Sequence, residues 1–268
     1  MKRIISVGGL GGSGTRVVAQ VLSSSGVYFG EHLNLPLDNI LFTRIFKNPK
    51  LIDTGNEIKI KRLLDLFCKK MQGQNLSISE TIYISKSILS NKCYNSSLQD
   101  TYYILRHKNE TCNPETWAWK EPNTHIYLDY LLRYIPNLKY IHVVRNGLDM
   151  KYSINKKQVK NWGHLFNIDN NSENKQWNFW VKSTERIIEI SKNYNNRVYL
   201  INYNKLCSNP KDEILKLFTF LEINLTENLL EHLSTIPKVT KKKYLIKDLQ
   251  SLSDKELELM EKWGFNTK

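Results

Sequence analysis

A glycine-rich loop near the N-terminus constrains the fold of this 268-residue chain more than any other feature. Residues 2–7 form a β-rich run and residues 15–25 carry apolar side chains at helical spacing, so the loop connects a strand to a helix. Five of the seven residues at positions 8–14 are glycine. Such a turn lets backbone N–H groups converge at the positive end of the helix dipole, where anions bind. The sequence therefore predicts a phosphate-binding unit at its N-terminus.

The rest of the chain alternates between candidate strands and candidate helices. β-Branched or aromatic runs predict further strands at residues 27–29, 139–145 and 197–203, and residues 117–120 form a short aromatic-rich segment that ends before Pro122. Helical segments separate these runs, which is typical of an α/β fold with three layers, in which helices flank a mostly parallel central sheet. We expect a single domain over residues 1–268, with a mostly helical insertion at about 31–112.

The composition limits the partners and the compartment. The formal net charge of +13 favours anionic ligands and allows a basic protein that binds polyanions. No helix-turn-helix, zinc module or RNA-binding aromatic motif accompanies the charge, so we expect no nucleic-acid partner. The longest apolar runs fall short of the roughly 20 residues of a membrane span, and glycines interrupt the apolar N-terminus too early for a signal peptide. We therefore expect a cytoplasmic protein without stable membrane insertion.

The glycine loop alone allows more than one phosphate ligand. Gly9 and Gly14 have the spacing of a Walker A loop, but Thr15-Arg16 stands where Lys-Ser/Thr is required, which argues against a small-molecule kinase. Gly9, Gly11 and Gly14 also match the dinucleotide fingerprint, with Glu31 placed as a ribose carboxylate. A dinucleotide-dependent enzyme therefore remains an alternative at this stage.

Two motifs together favour a third interpretation. Ser13-Gly14-Thr15 resembles the 5′-phosphosulfate loop of sulfotransferases that use 3′-phosphoadenosine 5′-phosphosulfate (PAPS). Residues 136–153 resemble the 3′-phosphate signature of the same family, in which a strand ends at an arginine and a serine follows on the next helix. Here these residues are Arg145 and Ser153, eight positions apart. An arginine fork and a serine hydroxyl are suited to holding one phosphate.

Two shorter segments add to the likeness. Lys120-Glu121-Pro122 resembles a Lys-x-Pro element of bacterial and Golgi-type sulfotransferases, and Tyr203 with Leu206 resembles their Tyr-x-x-Leu segment. Lys241 lies in a basic stretch that matches the family's closing loop in position only. The resemblance implies that the cofactor contacts come from Gly11, Gly12, Ser13, Gly14, Thr15, Arg16, Arg145, Ser153, Tyr203 and Lys241.

The resemblance also implies a reaction. It predicts a P-loop-like sulfotransferase fold and metal-free, in-line transfer of a sulfuryl group from PAPS to a hydroxyl or amine. The acceptor would be a small molecule or a glycan, and the other product would be 3′-phosphoadenosine 5′-phosphate (PAP).

The catalytic residues are harder to place, because Gly12 occupies a position where the family usually carries Lys or Arg. Negative charge develops on the leaving oxygen, so a cation is expected nearby. We predict Lys120 as the main stabiliser and Arg16 as a second candidate. For the base that accepts the acceptor's proton, Glu31 is the first choice, with His32 and Asp38 as alternatives.

Overall fold

A sheet of four parallel strands lies at the centre of the part of the chain that this computed structural model describes, residues 2–106, 114–153, 155–240, 244 and 246–265. The strands pair in the order β2-β1-β3-β4. Ser6 of the first strand pairs with Trp119 on one side and Tyr140 on the other. The strand bounds are β1 (Arg3–Gly9), β2 (Thr116–Lys120), β3 (Leu138–Val144) and β4 (Val198–Asn202).

The helices of the described residues follow the alternation that the sequence predicts. Two short 3-10 helices span Pro122–Tyr127 and Gly163–Phe166. The α-helices are α1 (Thr15–Ser24), α2 (Ile40–Phe46), α3 (Pro49–Asp53), α4 (Glu57–Met71), α5 (Ile78–Leu89), α6 (Leu98–Leu105), α7 (Leu128–Tyr134), α8 (Gly147–Lys151), α9 (Lys157–Trp162), α10 (Lys175–Asn193), α11 (Tyr203–Ser208), α12 (Pro210–Leu221), α13 (Glu227–Ser234), α14 (Ile246–Gln250) and α15 (Asp254–Lys262).

Helices cover both faces of the sheet, which confirms the three-layer α/β prediction. Ile5 and Val7 of β1 face a core shared with α1, α11, α12 and α13. Ile4 points the opposite way, into a core that contains side chains of α4, α7 and α10. β1 and β3 are buried at nearly every position, as strands covered on both faces are, and most of their residues are apolar.

The predicted strand at residues 27–29 is reduced to a single contact. Tyr28 makes an isolated parallel bridge to Trp117 at the edge of the sheet. Gly26 and Gly30 flank it with φ angles of 92° and 98°, a left-handed conformation that interrupts extended backbone on both sides. The segment therefore crosses the edge of β2 without becoming a fifth strand.

The described part of the insertion is helical, from α2 to α6, and an aromatic cluster attaches it to β2. The ring centroid of Trp119 lies 5.5 Å from that of Phe42 and 5.3 Å from that of Phe67. A capping box formed by Ser77 and Glu80 starts α5. No helix of the described residues is long and apolar enough to cross a membrane.

Candidate functional site

The glycine loop lies between β1 and α1, at the edge of the sheet where the strands end. The N–H of Ser13 donates to the Leu10 carbonyl over 2.9 Å, which closes the turn. Gly12 and Gly14 have φ angles of 98° and 104°, a conformation that glycine adopts without strain. The Ser13 hydroxyl is buried and has no hydrogen-bond partner among the described residues. A buried hydroxyl in this state fits a site that binds the oxygen atoms of a ligand.

Tyr203 packs directly against the loop. A Cβ atom on Gly14 would lie 2.1 Å from Cδ2 of Tyr203, so only glycine allows this approach. The guanidinium of Arg145 lies 5.3 Å from the centroid of the Tyr203 ring. Burial raises the pKa of Tyr203 to about 12, which keeps its phenol protonated at neutral pH. The tyrosine therefore links the loop to the second motif.

Arg145 and Ser153 both border Gly12. Nη1 of Arg145 donates to the Gly12 carbonyl over 3.3 Å. Nε of the same side chain donates to Asp149 over 3.1 Å, and both partners of this ion pair are buried. A Cβ atom on Gly12 would lie 3.3 Å from the Ser153 hydroxyl oxygen. The two motifs thus form one site, although 133 positions separate Gly12 from Arg145.

The C-terminal part of the chain reaches this site through Thr240. Nη2 of Arg145 donates to the Thr240 hydroxyl over 3.0 Å. Lys241, the next residue, lies outside the described residues. Arg16 is exposed in the first turn of α1. Thr240 is a contact of the second motif that the sequence analysis missed.

Lys120 is buried at the end of β2 in an ion pair. Its Nζ donates to Oδ1 of Asp38 over 2.5 Å and to the Pro36 carbonyl over 3.0 Å. The Lys120 side chain is 3% exposed and that of Asp38 is 18% exposed. Two candidates that were predicted for separate roles, a cation and an alternative base, therefore balance each other's charge.

Glu31 and His32 lie in a small pocket beside the insertion rather than in contact with the glycine loop. Lys70 lines the same pocket. Burial lowers the pKa of Lys70 to about 8, although attraction to Glu31 opposes this shift. Nε2 of His32 donates to the Arg106 carbonyl over 3.0 Å, and Nδ1 is buried without a partner among the described residues. Because Nδ1 of His32 is buried, Glu31 is the more accessible of these two candidate bases.

Three further residues form a chain of hydrogen bonds that reaches the loop. Gln158 of α9 accepts a hydrogen bond from the N–H of Gly11. Its Nε2 donates to Asn123, which in turn donates to Glu121. No motif pointed to Gln158 or Asn123, and Glu121 was noticed only as the neighbour of Lys120. Their contacts depend on α9 packing against the end of β2, which local sequence does not report.

The sequence comparison decides the family. A model of the sulfotransferase family matches residues 5–227, which include the glycine loop, Lys120, Arg145 and Tyr203. The chain belongs to the sulfotransferase family. No curated protein matches it at a significant level. As a sulfotransferase it is an enzyme of the predicted class, and the kinase, dinucleotide-dependent and polyanion-binding alternatives are set aside.

Solved structures resemble this sulfotransferase at low sequence identity. The sulfotransferase domain from the Synechococcus PCC 7002 olefin synthase is 16% identical, with a TM-score of 0.51, and the match covers 99% of this chain and 97% of that domain. Sulfotransferase STF1 from Mycobacterium tuberculosis H37Rv is 15% identical, with a TM-score of 0.49, and the match covers 97% of this chain and 76% of that one. The first of these likenesses supports the predicted fold.

Proposed function

We propose that this sulfotransferase transfers the sulfuryl group of PAPS to a hydroxyl or amine of a small molecule or glycan, without a metal ion. The observation that carries the proposal is the meeting of two anion-binding motifs at Gly12. A glycine loop at a helix N-terminus suits the 5′-phosphosulfate. Arg145 and Ser153, which border the same residue, suit a second phosphate. A donor with phosphates on both sides of its ribose matches this pair of sites.

The donor would be held by groups that the structure brings together. The loop amides and the hydroxyls of Ser13 and Thr15 would hold the 5′-phosphosulfate. The Ser13 hydroxyl, which has no partner among the described residues, supports this assignment. Arg145 and Ser153 would hold the 3′-phosphate, together with Lys241, which lies outside the described residues and is proposed from its place in the sequence alone. Tyr203 would act indirectly, because its ring packs against both Gly14 and Arg145.

PAPS supplies a sulfuryl group whose bond to the phosphate oxygen breaks as a bond to the acceptor oxygen or nitrogen forms. Lys120 would stabilise the negative charge that develops on the leaving oxygen. Its ion pair with Asp38 fixes the position of the ammonium group before the reaction. The second cation proposed for this role is Arg16, which is exposed in the first turn of α1.

The acceptor's proton needs a base, and Glu31 remains our proposal. It lies in the pocket that adjoins the insertion, together with Lys70 and Asn39. The N–H of Asn39 donates to the Lys120 carbonyl over 2.9 Å, so this pocket lies beside the end of β2 that carries Lys120. An acceptor that enters beside the insertion would meet Glu31 before it reaches Lys120.

The test is calorimetric binding of PAP, measured beside AMP, ATP-magnesium and NAD. We expect micromolar binding of PAP and much weaker binding of AMP, which lacks the 3′-phosphate. A preference for ATP-magnesium or NAD would contradict the assignment of Arg145 and Ser153. In a transfer assay, EDTA should leave the rate unchanged, and a rate restored only by added metal would contradict metal-free transfer.

A further inference from the structure

A buried chain of hydrogen bonds runs from a carboxylate to the glycine loop. Oε2 of Glu121 accepts from the backbone N–H of Asn123 over 2.6 Å, and Oε1 accepts from its Nδ2 over 2.7 Å. Oδ1 of Asn123 accepts from Nε2 of Gln158 over 2.9 Å. Oε1 of Gln158 accepts from the N–H of Gly11. Glu121, Asn123 and Gln158 are 2%, 3% and 6% exposed, so the chain is shielded from water.

Every hydrogen bond in this chain points the same way. An ionised carboxylate only accepts hydrogen bonds, so each amide turns its NH₂ toward Glu121 and its oxygen toward the loop. The last oxygen, on Gln158, therefore holds the Gly11 N–H, while Nε2 of Gln158 also donates to the Gly9 carbonyl over 3.4 Å. A protonated Glu121 would itself be a donor and would favour the reverse orientation of both amides. The NH₂ group of Gln158 would then face the Gly11 N–H, and the two donors would not bond.

The surroundings of Glu121 place this change of charge near neutral pH. Burial raises the pKa of Glu121 to about 7, against the attraction of Lys47 and Lys120 and the hydrogen bond from Asn123, while Asp38 adds to the rise. The titratable groups of the described residues that interact with this carboxylate come from six parts of the fold and are Lys47, Asp38, Lys120, Tyr94, Tyr127 and Tyr140.

We propose that Glu121 is a positioning residue that controls the Gly11 N–H through Asn123 and Gln158, and that nucleotide binding at the loop is coupled to proton uptake by Glu121. The inference rests on the proposed function, because the ligand is the PAPS product PAP. A phosphate that takes the Gly11 N–H removes the donor that now bonds Gln158. It also brings negative charge toward a buried carboxylate, which favours the protonated form of Glu121.

The coupling has a defined sign. Binding that takes up a proton is strongest when Glu121 is already protonated and weakens as the pH rises above about 7. For full coupling, the affinity for PAP falls by up to about tenfold per pH unit in this range. If Glu121 only capped the short helix at Pro122–Tyr127, replacing it would change stability without changing the number of protons taken up on PAP binding.

The experiment is titration calorimetry with PAP from pH 6.5 to 8.5 in two buffers of different ionisation enthalpy, which counts protons taken up. Wild type is compared with Glu121→Gln, and Glu213→Gln serves as the control. Glu213 is also buried, but its carboxylate accepts from Lys216 on α12, away from the loop. PAP has titrating phosphates of its own, and these contribute equally to all three proteins.

We expect wild type and Glu213→Gln to take up more protons than Glu121→Gln near pH 7.5, and we expect the PAP affinity of Glu121→Gln to depend less on pH. Gln158→Leu, which removes the acceptor of the Gly11 N–H, should show the same loss of coupling. Equal proton uptake in wild type, Glu121→Gln and Gln158→Leu, with folding checked by thermal unfolding, overturns this inference and leaves the proposed function standing. Absence of PAP binding in wild type overturns the proposed function and this inference with it.

Discussion

Replacing Arg145 by alanine should change two quantities that can be measured separately. The side chain donates to Asp149, Gly12 and Thr240, and Asp149 is buried. Removing the arginine leaves a buried carboxylate without this cation, which costs about 3–5 kcal/mol of unfolding free energy. If Arg145 also holds the 3′-phosphate, losing a charged hydrogen bond costs about 2–3 kcal/mol of binding, or roughly 30- to 150-fold in affinity.

The ratio of PAP affinity to AMP affinity separates these two effects. Arg145→Ala should lower this ratio by the factor above, since only PAP carries the 3′-phosphate. The double variant Arg145→Ala/Asp149→Asn removes the uncompensated charge and should recover stability in a denaturant titration while the ratio stays low. An unchanged ratio in both variants would refute the assignment of Arg145 to the 3′-phosphate, whatever happens to stability.

Three other changes test the site and the fold. Lys120→Ala should lower kcat about 100- to 1,000-fold with little change in PAP affinity, and equal losses in both would make it a binding residue only. Gly14→Ala should destabilise the protein by about 1–3 kcal/mol from backbone strain and by a further amount from the clash with Tyr203. Gly26→Ala, at a similar φ but with open space around it, should show the strain alone. Equal unfolding midpoints for the two variants would contradict the clash. Burial lowers the pKa of His142 from 6.5 to about 3, so the unfolded chain binds a proton that the folded chain excludes. The contribution of His142 to the free energy of unfolding should be fully present above pH 6.5 and fall by up to about 1.4 kcal/mol per pH unit below it. His142→Phe should reduce this slope in denaturant titrations.

The shape of the glycine loop and the position of Arg145 could be predicted because their geometry is local. A strand, a glycine turn and a helix form within the first 25 residues, so the loop's shape follows from its own sequence. Arg145 and Ser153 stand at the end of a strand and just beyond a short helix, and a parallel sheet brings that strand end beside the first. The sheet order itself then completes the site.

The remaining contacts depend on packing between distant segments. The partner of Lys120 is Asp38, 82 positions away, and it reaches the lysine only because the loop before α2 folds across the end of β2. Gln158 contacts Gly11 over 147 positions, through a helix whose own sequence has no catalytic signature. A single sequence carries no signal for such pairs, since each residue is locally compatible with many surroundings.

The contact between Tyr203 and Gly14 bears on how this enzyme is made. During synthesis the glycine loop leaves the ribosome first, but Tyr203 and Thr240 follow only after most of the chain has been translated. The proposed nucleotide pocket is therefore among the last features that the nascent chain completes. A bound nucleotide can stabilise only a chain that has been translated beyond Thr240, because shorter fragments lack part of the site.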